Sequence, residues 1–143
     1  MIQALYGSRE LAEHMHYLEK RLAENLAYAR AHSSRLSKYD DTAYGTELLV
    51  SWESGRFSSS DIALQFSING AQLRPDQPSK AWVFIWVIHN LPPSMQYKKD
   101  FVIPSAIVPG PNKPQELDSF LFPSLSHVAA LQCKGFRIYD VNT

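Results

Sequence analysis

The spacing of apolar residues changes from a helical period to a strand period near residue 61. Between residues 8 and 32 the apolar positions recur every three or four residues, as in an amphipathic helix. They are Leu11, Met15, Leu18, Leu22, Leu26 and Ala29. Ser8 precedes this stripe and is a suitable N-cap. The pattern predicts one continuous helix over 8–32. A shorter helix is predicted over 46–54, with Gly55 as its C′ residue.

Three strands are predicted in the middle of the chain. Residues 61–68 alternate with a period of two, and the dipeptide Asn69-Gly70 predicts a turn that ends this strand. Residues 81–88 are continuously apolar, which is typical of a central strand buried on both faces. Residues 101–108 predict a third strand, and Pro104 places it at an edge or a bulge.

A second amphipathic helix is predicted to begin near Pro114 and to end at Gly135. Its apolar stripe consists of Leu117, Phe120, Leu121, Leu125, Val128 and Leu131. Pro123 lies inside it and is expected to kink or split the helix. Residues 136–141 predict a fourth strand.

The predicted element order is that of an α/β (α+β) chain with an N-terminal helical segment, 1–60, and a β-β-β-α-β segment, 61–143. We expect an antiparallel meander in which strand one lies inside the sheet, between strands two and four. A ribonuclease-H-like fold begins with this order, so by analogy residues 61–143 predict an incomplete ribonuclease-H-like core.

Composition excludes several classes of protein. Fourteen basic residues balance fourteen acidic ones, whereas DNA-binding domains are usually basic. The lone Cys133 excludes an internal disulfide and a zinc site of paired cysteines. The longest apolar run, 81–88, is too short to span a bilayer. The N-terminal residues do not have the pattern of a signal peptide, so we expect a reducing compartment, the cytosol or nucleus.

Two residues are candidates for chemistry on the expected fold. Ribonuclease-H-like nucleases hold divalent metal ions with acidic residues at the ends of strands one and four. Asn69 and Asp140 occupy those places in the predicted order. Both also have ordinary structural interpretations, Asn69 as a turn residue and Asp140 as a solvated strand-end residue. Glu116 and Asp118 fit favourable charges at a helix N-terminus.

Other polar groups give weaker signals. His14 and His16 are two residues apart, so they lie on different helix faces and are predicted surface positions rather than a metal pair. Tyr97 with the adjacent Lys98 and Lys99 fits either a phosphate contact or a solvated loop.

A succession of segments from residue 67 onward resembles the CACTA-type (En/Spm-like) transposases of fungal genomes. The segments are 67–73, 81–88, 90–93, 97–99, 107–114, 117–123 and 135–140. The most specific pair combines Pro-Gly-Pro-x-x-Pro with Leu-Asp-Ser-Phe-Leu. Residues 8–55 resemble the part just upstream of that core, and the whole chain corresponds to a small piece of a full transposase.

The resemblance implies a metal-dependent enzyme that cuts and joins DNA in the nucleus with Mg²⁺ or Mn²⁺. In the family, the first metal ligand is an Asp at the position of Asn69. Asp140 matches the strand-four acid, which is a candidate second ligand and a weak candidate for metal binding, although a later acid is the alternative. The last acid of the family is not encoded here. The resemblance therefore predicts a degenerate fragment without tightly bound metal and without nuclease activity.

An alternative function is a non-catalytic module that binds DNA or full-length transposase. Zero net charge disfavours the DNA-binding version, because phosphate contacts need clustered Lys and Arg. Neither interpretation involves a membrane or a small-molecule substrate.

Overall fold

A computed structural model describes residues 1–32, 36, 38–39, 41–72, 80–110, 112 and 114–142. They form an α+β protein, in agreement with the predicted class. Its helices are α1 (Ile2–Tyr6), α2 (Arg9–Met15), α3 (Tyr17–Ala31), a 3₁₀ turn (Thr42–Tyr44), α4 (Thr46–Glu53), α5 (Pro93–Gln96) and α6 (Leu117–Lys134). Its strands are β1 (Leu64–Gln72), β2 (Lys80–Ile88) and β3 (Ile103–Pro109). Among the residues described here, no helix combines the length and apolar character needed to cross a membrane.

The chain divides into two compact units, and both are discontinuous in sequence. The first unit contains residues 1–64, 88–101 and 139–143, and the second contains residues 65–87 and 102–138. The predicted division into a helical segment, 1–60, and a partial core, 61–143, stays a prediction.

In the first unit, the predicted helix over 8–32 is interrupted. Ser8 is the N-cap residue of α2, as predicted, but His16 separates α2 from α3. The amide N–H of Leu18 donates to the carbonyl oxygen of Asn90 at 3.3 Å instead of to the carbonyl oxygen four residues before it. The continuous helix was therefore wrong at His16, where a tertiary hydrogen bond replaces a helical one.

The apolar side of α2 and α3 forms the core of the first unit, as the stripe predicts. Met15, Leu18 and Leu22 are fully buried. The partly buried side chains that pack on the cluster of Leu18, Leu22 and Ala43 are Leu48, Leu49, Trp52, Phe57 and Ala63. Helix α4 ends as predicted, because Gly55 follows it with φ +74°, a conformation that favours glycine.

The second unit contains a three-stranded antiparallel sheet in the order β1-β2-β3. The prediction that residues 81–88 form the central strand is confirmed. Phe84 and Val87 are fully buried there. Strand β3 lies at an edge, and its register with β2 shifts where Pro104 pairs with Ile85 and Ala106 with Phe84. Pro104 therefore lies at an edge bulge, as the sequence predicts.

The turn predicted at Asn69-Gly70 is wrong, because β1 continues through both residues to Gln72. The Trp82 ring explains why a residue without a side chain is at position 70, because a Cβ on Gly70 would lie only 3.4 Å from that ring. Gly70 thus provides room for a neighbouring indole rather than a turn conformation. Strand β1 is an edge strand of the described sheet, so its predicted place between two neighbours is also wrong.

Helix α6 extends through Pro123 as one helix, so the proline does not split it. Its half-buried side chains keep the helical period; they are Leu117, Leu121, Ser124, Val128 and Leu131. The indole N–H of Trp86 donates to the Ser124 hydroxyl at 2.7 Å and joins β2 to this face of α6. Gly135, at φ +65°, ends the helix as predicted.

The fourth strand predicted over 136–141 is wrong for the structure described here. Residues 135–140 form no regular element, and residues 141–142 lie in a turn.

Burial of β2 predicts a large effect of Phe84→Ala. Phe84 is fully buried and its ring centroid lies 6.2 Å from that of Phe66. We expect a loss of about 3–5 kcal/mol in the free energy of unfolding, as for other buried phenylalanines. Chemical denaturation followed by tryptophan fluorescence measures it. The control Ile107→Ala, at a residue that is 65% exposed in β3, should change the same free energy by less than about 0.5 kcal/mol. Equal losses in the two variants would contradict the core position of Phe84.

Candidate functional site

Asn69, the first candidate residue, lies in the interior of β1 in the second unit. It is exposed. Its side chain offers an amide oxygen, which is uncharged and would not neutralise the positive charge of a metal ion.

Asp140, the second candidate residue, belongs to the first unit. Its carboxylate accepts a hydrogen bond from Nε2 of His16 at 2.9 Å and another from the backbone N–H of Asn142 at 2.8 Å. The Asp140 side chain is 12% exposed. The structure places neither residue at a strand end, because Asn69 lies within β1 and Asp140 lies in no strand, so that part of the prediction is wrong. The convergence of their side chains stays a prediction, since the two residues belong to different units.

Residues 139–142, here called the C-terminal strap, lie against α1 and α2. The Gln3 amide pairs with the backbone of Tyr139, accepting from its N–H at 3.0 Å and donating to its carbonyl at 2.9 Å. The N–H of Val141 donates to the carbonyl of Tyr6 at 3.1 Å. Asn142 donates through its side-chain amide to the carbonyl of Arg9 at 3.0 Å. These contacts give the backbone of Tyr139 and the N–H of Val141 hydrogen-bond partners that do not belong to a sheet.

His16 lies between two carboxylates. Its Nδ1 is 3.1 Å from Glu19 Oε2, and its Nε2 is 2.9 Å from Asp140 Oδ2. Both ring nitrogens donate only in the imidazolium form, so this arrangement favours protonated His16. The ring of Tyr6 meets the His16 ring edge-on, with centroids 6.1 Å apart. The His16 side chain is 26% exposed, so it is half-buried rather than fully on the surface as predicted.

The electrostatics of this cluster follow from the ion pair. Burial acts to lower the pKa of His16, but the hydrogen bonds to Asp140 and Glu19 outweigh it and raise the pKa above its ordinary value. The hydrogen bond from the Asn142 backbone, with His16 beside it, lowers the pKa of Asp140. Burial, together with the charges of Asp140 and Glu19, raises the pKa of Tyr6.

The donor set around the two candidates does not fit a catalytic metal ion. Asp140 receives hydrogen bonds from His16 and from the Asn142 backbone, and His16 is its ion-pair partner. Asn69 contributes no charge. Within the described ranges, no three His, Cys, Asp or Glu side chains are placed to share a metal ion. Around Asp140, the residues that the structure describes therefore do not supply the clustered carboxylates that Mg²⁺ prefers.

The remaining groups with candidate chemistry are His89, Lys98, Lys99 and Cys133. His89 is 7% exposed, and its Nδ1 is 3.1 Å from the Thr42 hydroxyl; burial lowers its pKa. Lys98 and Lys99 are exposed in the first unit, and Cys133 is exposed on α6.

No protein-family model, curated protein or solved structure matches this chain.

Sequence reasoning identified Asp140 but missed its partners. Glu19 follows His16 at the i+3 spacing of a helical pair, a signal that was present in the sequence. His16 and Asp140 are 124 residues apart, and no local pattern connects them.

The ion pair predicts a pH-dependent stability. Asp140 contributes stability above its ordinary pKa, which is lost as pH falls through its lowered pKa. His16 contributes stability below its ordinary pKa of 6.5, which is lost as pH rises through its raised pKa. We expect the pair's contribution to be largest between about pH 4 and 6.5.

His16→Gln should lower the free energy of unfolding at pH 6 by about 1–2 kcal/mol, allowing for partial screening of the pair. Urea denaturation followed by circular dichroism, repeated from pH 4 to pH 9, measures this loss. The control His14→Gln changes a histidine that is two residues away in α2. An identical pH dependence in His16→Gln and the unmodified chain would contradict the ion pair.

Proposed function

We propose that this chain is a piece of the catalytic core of a CACTA-type transposase and that it does not cut DNA. The observation that carries the proposal is the ordered set of seven segments that resemble the family, from residue 67 to residue 140. The antiparallel order β1-β2-β3 followed by α6 is compatible with the first part of a ribonuclease-H-like core. Strand β1 is an edge strand of the described sheet. In a complete core of that fold, the fourth strand would pair with it.

The proposed loss of cleavage follows from the two candidate ligands. An amide at position 69 removes one negative charge where the family has an aspartate. Asp140, the proposed second acid, is engaged by His16 and by the backbone of Asn142. Changes in the surroundings of metal ligands alone commonly cost about 10–100-fold in metal affinity or activity. In the family, this core acts on DNA in the nucleus and uses Mg²⁺ or Mn²⁺.

Nicking of a supercoiled plasmid tests the proposal. With Mn²⁺ or Mg²⁺ present, the unmodified chain should nick no more than the same reaction containing a chelator. Asn69→Asp should raise Mn²⁺ affinity modestly, as calorimetry would measure, because it adds one carboxylate. Asn69→Asp should still give no nicking, since one added carboxylate does not replace the several acids that hold the metal ions of such nucleases.

Asp140→Asn in the Asn69→Asp background is the matched control. If Asp140 contributes to the metal site, this change reverses the gain in Mn²⁺ affinity. Metal-dependent nicking by the unmodified chain would contradict the inactive interpretation.

A second candidate function, binding to full-length transposase, is favoured by the exposed apolar side chains of α6. Phe120, Phe122 and Leu125 are 41%, 71% and 44% exposed. Phe122 and Leu125 are three residues apart in α6, so they share one face of the helix. Large exposed apolar groups on one face are typical of protein-binding surfaces. The balanced charge of the chain favours a protein partner over DNA.

The double substitution Phe122→Ser and Leu125→Ser should weaken such binding about tenfold or more, since two apolar anchors are lost. Fluorescence anisotropy of labelled chain, titrated with a full-length transposase of the family, measures the affinity. Tyr97→Ser is the control, because Tyr97 is 65% exposed in the other unit. Equal affinity of the double variant and the unmodified chain would exclude α6 as the binding surface.

A further inference from the structure

We propose that two copies of this chain pair through strand β1, as antiparallel strands related by a two-fold axis at Ile68. The partner is a second copy of the chain, and the two sheets join into one through backbone hydrogen bonds. The proposal does not rest on the proposed transposase origin, and its test has no DNA-dependent readout.

The two edges of the described sheet differ in their protection against pairing. Strand β3 carries Pro104 and Pro109, and its register with β2 shifts at a bulge. Natural proteins block edge pairing with prolines, bulges, charged side chains and short edge strands. Strand β1 is nine residues long and contains neither a proline nor a charged residue. Its outer edge therefore retains the backbone groups that another strand can pair with.

The segment of the chain that was predicted to pair with β1 has other contacts. Residues 136–141 contain no strand, and the N–H groups of Tyr139 and Val141 donate to Gln3 Oε1 and to the Tyr6 carbonyl. Among the strands that the structure describes, β2 alone neighbours β1. We therefore assign the outer edge of β1 to a strand from another molecule.

The sequence of β1 is complementary to itself, which identifies that molecule as a second copy. Side chains alternate between the faces of a strand, so Phe66, Ile68 and Gly70 share one face and Ser67 and Asn69 share the other. With the axis at Ile68, Phe66 of each copy lies opposite Gly70 of the other, and Ser67 lies opposite Asn69. An aromatic side chain beside an edge glycine stabilises a sheet. Hydroxyl and amide groups on opposite strands can hydrogen-bond.

The residues of these pairs keep accessible surface in the single chain. Phe66 and Ile68 are half-buried, while Asn69 and Gly70 are exposed. The Trp82 ring lies 3.4 Å from the place that a Cβ of Gly70 would take. Pairing would therefore bring the Phe66 ring of the second copy next to an aromatic surface that is already in place.

Charge favours a second copy over a charged partner. Strand β1 is uncharged and the formal net charge of the chain is zero, so two copies meet without net repulsion. Backbone hydrogen bonds provide the affinity in such strand addition, and the alternating side chains provide the register. One pair of strands is a small interface, so we expect a reversible dimer that depends on concentration.

Analytical ultracentrifugation of the chain over a range of concentrations tests the proposal. The chain has a mass of 16.2 kDa, and a species of twice that mass should appear as the concentration rises. Two-fold pairing uses each β1 once, so the assembly should stop at the dimer. A chain that stays monomeric up to about 1 mM, or one that assembles beyond a dimer, would overturn the proposal.

Two double variants with opposite charges test the register. Ser67→Lys with Asn69→Lys places like charges opposite each other in the proposed pairing, so it should weaken dimerisation about 100-fold or more. Ser67→Glu with Asn69→Glu should have the same effect. Mixing the two variants places opposite charges in those positions and should restore a mixed dimer. Ile107→Lys, at a residue that is 65% exposed on β3, is the matched control and should leave dimerisation unchanged.

Amide hydrogen exchange of the unmodified chain gives a second measurement that needs no variant. Protection of residues 66–70 should rise with concentration, whereas protection of β3 should not change. Circular dichroism shows whether each double variant is folded. Dimers that persist in a folded double variant, folded variants that form no mixed dimer, or a rise in protection at β3 instead of β1 would each show that the proposal is wrong.

Discussion

A histidine held between two carboxylates determines where the C-terminal end of the described chain lies. Glu19 of α3 contacts one side of the His16 ring, and Asp140 meets the other side from 124 residues away. The interruption between α2 and α3 falls at His16 itself, where the Leu18 amide leaves the helical pattern to bond the Asn90 carbonyl. The helix break and the ion pair therefore coincide at one residue. Together with the Gln3 amide, this pair accounts for the strap's position without sheet hydrogen bonds.

The second unit depends instead on apolar burial. Strand β2 lies between β1 and β3, and its buried side chains lie next to aromatic neighbours; the centroids of Phe66 and Trp86 are 4.8 Å apart. Helix α6 contributes one half-buried face and a hydrogen bond from Trp86 to Ser124. Its other side chains include exposed phenylalanines, which burial within this unit does not explain. These exposed apolar side chains are the physical basis for proposing a protein partner.

Elements defined by strong local patterns were predictable from the sequence. Continuous apolar residues predicted β2, Gly55 and Gly135 predicted the ends of α4 and α6, and Pro104 predicted an edge or a bulge. Both glycines have the positive φ that such helix ends favour. Predictions failed where a distant group competed with the local preference. Gly70 has the sequence context of a turn, but Trp82 covers it in an extended strand. Residues 136–141 have strand-forming side chains, but Gln3 and the Tyr6 carbonyl satisfy the backbone of Tyr139 and Val141. Neither competing contact has a local sequence signal.

The same competition affects the candidate site. Asp140 has the chemistry of a metal ligand, yet its carboxylate is the counter-ion of His16 in the first unit. Nuclear Overhauser contacts of residues 136–141 in solution test this account most directly. It predicts contacts from the Gln3 side-chain amide to Tyr139 and from the His16 ring to the strap, with chemical shifts of residues 136–140 that lack strand character. Cross-strand contacts between residues 136–140 and β1, with no contact to Gln3 or His16, would contradict it.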